Sequence, residues 1–62
     1  MKKISREQAE QLFESEKVIN TKVEQDRNEL RISMDLSGNL SCLIKFDVKK
    51  QKKTYYLDQI NM

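Results

Sequence analysis

The sequence predicts a small α+β domain in which one N-terminal helix packs on one face of a four-stranded antiparallel β-meander, in the order α-β-β-β-β. Three observations carry this reading. Apolar residues fall on every second position through Leu30, Ile32, Met34 and Leu36, and again through Leu40, Cys42, Ile44, Phe46 and Val48, the spacing of strands with one apolar face. Between the two runs, Ser37-Gly38-Asn39 contains the only glycine of the chain, where a hairpin turn calls for a positive φ. Ahead of both, Ser5-Arg6-Glu7-Gln8 matches a capping box that opens a helix.

The helix is expected over about residues 5 to 17. Ile4 and Ala9 can close a hydrophobic staple around the cap, while Glu7 and Glu10 near the start and Lys17 at the end suit the helix dipole. Its apolar stripe, Ala9, Leu12 and Phe13, is narrow, as expected of a helix lying across one patch of a sheet. The acidic run Glu10, Glu14 and Glu16 reads as a solvated face.

Val18 to Gln25 gains β-branched residues and reads as an edge strand, with Ile19, Thr21 and Val23 on one face and Val18, Asn20, Lys22 and Glu24 on the other. Asp26-Arg27-Asn28 supplies turn chemistry, after which the two alternating runs form strands over residues 29–36 and 40–48. Lys49-Lys50-Gln51-Lys52-Lys53 then separates Val48 from a last strand over about residues 53–58, in which Tyr55 and Leu57 point inward and Tyr56 outward. Ile60 and Met62 are expected to tuck against the sheet or a partner.

A chain of 62 residues makes one domain that buries only about 60% of its unfolded surface, so self-association is an expected aid to stability. Twelve Lys/Arg against ten Asp/Glu leave a net charge of +2. Residues 37–62 hold five lysines and two aspartates, net +3, against seven basic and eight acidic residues, net −1, before them. No apolar run approaches the roughly 18 residues of a membrane span, and the start leads into a polar helix rather than a signal-peptide core, so a cytoplasmic protein is expected. The lysine-, isoleucine- and asparagine-leaning composition resembles that of small proteins from AT-rich bacteria and their phages.

Catalysis finds little material. Histidine is absent, removing the commonest general base and nitrogen ligand for a metal. Cys42 sits in the inward register as a small core residue, and there is no Gly-rich phosphate loop, triad or metal-ligand cluster. The sequence therefore predicts a non-enzymatic protein-interaction or regulatory module with no cofactor, metal or small-molecule substrate. Its expected partner-binding residues are Val18, Leu43 and Tyr56, which would form an apolar spot on the sheet face opposite the helix, and the partner is a protein or a second copy in a homodimer. The alternative is nucleic-acid binding through Lys45, Lys49, Lys50, Lys52, Lys53 and Tyr56, which combine phosphate-seeking charge with a stacking ring.

Overall fold

A computed structural model describes residues 1–59 and contains one helix and five strands. The expected placement of Ile60 and Met62 lies outside the described residues. Strand β1 (Lys2–Ile4) is followed by helix α1 (Arg6–Ser15) and strands β2 (Val18–Gln25), β3 (Glu29–Leu36), β4 (Leu40–Asp47) and β5 (Lys52–Gln59). The sheet is antiparallel throughout, in the order β1-β5-β4-β3-β2. Strands β2 to β5 form the expected meander, and β1 adds a fifth strand beside β5, with Ile4 opposite Tyr55. Because β1 and β2 occupy opposite edges, α1 must cross the sheet to join them.

The capping box forms as the sequence predicts: Gln8 N donates to Ser5 Oγ at 3.1 Å and Ser5 N donates to Gln8 Oε1 at 2.9 Å. The helix stops at Ser15, two residues short of expectation, because Glu16 turns to an extended backbone and Lys17 is taken by the β3–β4 turn. Lys17 N donates to Ser37 Oγ at 3.1 Å, Ser37 N donates to Lys17 O at 2.9 Å, and the Ser37 hydroxyl donates to the Glu16 carboxylate. This clasp fixes the far end of the helix beside Gly38 and Asn39, which both adopt positive φ, 75° and 59°. Strand β4 ends at Asp47 instead of Val48, since the Asp47 carboxylate accepts from the amides of Lys49 and Lys50 at 3.0 and 3.1 Å and bends the chain away.

Directly paired residues share a sheet face, and the registers sort the two faces. The inner face carries the row Val23, Ile32, Ile44, Tyr55 and Ile4, and beside it the row Thr21, Met34, Cys42, Leu57 and Lys2. The expected inward registers of Cys42, Tyr55 and Leu57 therefore hold. Among the described residues the buried apolar core is Ile4, Ala9, Leu36 and Cys42, with Ala9 and Cys42 fully enclosed and Leu36 2% exposed.

The helix is too short to cover this face. Ten residues make a rod about 15 Å long and about 10 Å across. Four eight-residue strands present a face about 26 Å long and about 19 Å wide. The helix footprint is thus roughly a third of the apolar surface beneath it, and it runs from the β1 edge to the clasp at Ser37.

Candidate protein-interaction surface

The uncovered part of the inner face lies at the end of the sheet formed by the β2–β3 and β4–β5 connections. There Leu30, Ile32, Ile44, Phe46 and Tyr55 line an open recess of about 320 Å³, with Lys53 at its rim. Leu30 is opposite Phe46, and Phe46 is opposite Lys53, so three strands supply one continuous apolar floor. Val23, 60% exposed, extends the Ile32–Ile44 row onto β2. Among the described residues no carboxylate lines the recess.

The outer face holds part of the spot expected from the sequence. Leu43 and Tyr56 are directly opposite on β4 and β5, and both are partly buried. Val18 is not with them. A bulge between Val18 and Asn20 resets the register of β2, leaving Val18 opposite Leu36 on the inner face. One extra residue in a strand inverts the side-chain alternation before it, which is why strict period-2 counting assigned Val18 to the wrong side.

The lysine-rich segment is divided as well. Lys49 and Lys50 lie in the β4–β5 turn, Lys52 is opposite Asp47 on the outer face, and Lys53 is opposite Phe46 on the inner face. The outer side has a recess of about 400 Å³ lined by Lys3, Lys45, Lys50 and Lys52, with Glu29 and Asp47 also in its wall. Lys45 Nζ stands 5.3 Å from the centroid of the Tyr56 ring, within range of a cation–π contact.

Burial pushes the Cys42 thiol above its usual pKa, the opposite of what a nucleophilic thiolate requires. Among the described residues no group of three or more His, Cys, Asp or Glu is placed to hold a metal ion, and no helix is long and apolar enough to cross a membrane. The recess at Phe46 was legible in the sequence only as a mismatch between eight alternating apolar positions in β3 and β4 and three apolar positions on the helix. Fold and surface together define a one-helix, one-sheet layer with an incompletely covered apolar face. Compared with protein-family models, curated proteins and solved structures, the chain has no match.

Proposed function

We infer that this chain is a small non-enzymatic protein-interaction module, working in the cytoplasm, whose docking surface is the uncovered inner corner of the sheet. The observation that carries this is the recess floored by Leu30, Ile32, Ile44, Phe46 and Tyr55. A contiguous apolar patch with a charged rim is the usual form of a protein contact site. The partner has an apolar segment to fill the floor and a carboxylate to meet Lys53. A cytoplasmic setting suits a chain with one unpaired cysteine, since disulfide frameworks belong to oxidising compartments.

The test is quantitative affinity capture from the source cell with wild type, Phe46→Lys and Tyr56→Lys. A partner lost with Phe46→Lys and retained with Tyr56→Lys supports the inner corner. Loss with Tyr56→Lys alone transfers the role to the Leu43–Tyr56 spot, and a partner set unchanged by both substitutions overturns the reading.

Nucleic-acid binding is the second reading, favoured by Lys3, Lys45, Lys50 and Lys52 around one outer recess and by the lysine held over Tyr56. Its distinguishing property is an affinity that falls steeply with salt.

A further inference from the structure

We propose that the β2 edge binds a second copy of this chain, strand against strand, in an antiparallel register centred on Val23. The proposal rests on the reading of the open sheet as an interaction surface and names the edge, the register and the partner.

The two edges of the sheet differ. At one, β1 is three residues long and begins Lys2-Lys3, and short lysine-bearing edges resist pairing. At the other, β2 is eight residues long, and all eight are exposed. Asp26 N donates to Glu29 O at 2.8 Å, closing the hairpin with a bonded pair. In an antiparallel ladder bonded pairs alternate, so Glu24 and Lys22 also turn their main-chain groups towards β3. Val23 and Gln25 therefore turn theirs to the open edge. Thr21 N, which faces the same way, donates to Asn20 Oδ1 at 3.1 Å. The bulge at Val18/Asn20 ends the regular edge, leaving about the five to six residues of an ordinary strand.

Charge selects among the registers a two-fold axis allows. Centring on Lys22 or on Glu24 sets like charges face to face, and centring on Gln25 sets Glu24 against Asp26 of the second copy. Centring on Thr21 runs the pairing into the bulge and leaves Lys22 opposite Asn20. Centring on Val23 places Lys22 of each copy opposite Glu24 of the other, and Thr21 opposite Gln25. Opposite charges directly across a strand pair stabilise it, and like charges oppose it. Within each copy Lys22 Nζ lies 3.2 Å from Glu24 Oε1, and Arg31 Nη2 lies 3.4 Å from Glu24 Oε2, so pairing redirects the Lys22–Glu24 contact of each copy into two symmetric interchain ones. On the inner face Val23 meets its own copy, continuing the Ile32–Ile44 row across the axis. Because the axis is normal to the sheet, the two uncovered corners come to lie on the same side of a ten-stranded sheet.

The test is sedimentation of wild type, Lys22→Glu, Glu24→Lys and an equimolar mixture of the two variants over a wide concentration range. Both side chains are exposed, 76% and 49%, and circular dichroism checks that each variant keeps its fold. Wild type is expected to dimerise, and each single variant to dissociate roughly tenfold more readily, since two attractive cross-strand pairs become repulsive. The mixture restores the dimer as a heterodimer, because each acidic edge then faces a basic one. A wild type that stays monomeric throughout overturns the proposal, as does a mixture no more associated than its components. Neither result touches the Phe46 capture experiment, because Lys22 and Glu24 lie outside the inner recess.

Discussion

Leu30 and Leu36 offer a controlled measurement of where the helix covers the sheet. They are the same residue type on the same face of β3, at its two ends. Leu36 is 2% exposed in the core with Ala9 and Cys42, whereas Leu30 lines the open recess. Truncation to alanine removes about three methylene equivalents, worth ~0.8 kcal/mol each when buried, or about 2.4 kcal/mol before any cavity term. At Leu36 the enclosed void adds to this, giving about 3 kcal/mol. At Leu30 water fills the space and part of the side chain is already wet, so the loss is about 1 kcal/mol. Strand propensity is common to both and cancels. For a chain of this length a total stability of about 3–9 kcal/mol is expected at ~0.05–0.15 kcal/mol per residue, so Leu36→Ala removes a third or more of it. Urea denaturation followed by circular dichroism reads both values, with the slope checking that each variant unfolds the same surface. Equal losses, or a larger loss at Leu30, would refute the placement of the helix.

Three further outcomes follow from the same geometry. Ser37→Ala frees Lys17 N and the Glu16 carboxylate from the clasp and is expected to cost about 1 kcal/mol in urea denaturation, with faster amide exchange at residues 16–18; exchange rates equal to wild type would show that the clasp does not hold the helix end. The raised Cys42 pKa means that the folded state keeps its proton where the unfolded thiol loses it. Stability from this group is therefore full below about pH 8.5 and declines as pH rises beyond it, a slope that Cys42→Ala removes; an unchanged slope in that variant assigns the decline to other groups. Titration with labelled oligonucleotides at low salt is expected to show at most weak binding, reduced further by Lys50→Glu with Lys52→Glu, and tight binding unaffected by that pair would displace the nucleic-acid reading from the outer recess.

The local rules were readable in the sequence. Ser5 and Gln8 announced the cap, the period of β3 and β4 announced the hairpin, and Gly38 marked its turn. What escaped was set by distant partners or by quantity. Strand β1 spans only Lys2–Ile4, too short to show a period, and exists because Tyr55–Leu57 offers it an edge. The bulge had a faint signal in Val18-Ile19, two adjacent β-branched residues at the start of an otherwise alternating strand, which period counting alone resolves to the wrong face. The open corner required comparing areas: the apolar stripe of Ala9, Leu12 and Phe13 is too small for the surface it meets.

A strand also divides what a sequence presents as a cluster. Lys52 and Lys53 are neighbours in the chain, yet the two-residue period sends one to Asp47 on the outer face and the other to Phe46 on the inner face. Tyr55 and Tyr56 separate in the same way, one into the apolar recess and the other beneath Lys45. The basic and aromatic residues that look like one nucleic-acid stripe therefore belong to two surfaces. The outer surface keeps one ring for stacking and shares its recess with Glu29 and Asp47, which repel phosphate. The inner surface keeps Leu30, Ile32, Ile44, Phe46 and Tyr55 with Lys53 at the rim, and the proposed protein contact draws on that composition, since apolar burial supplies affinity and a charge supplies orientation.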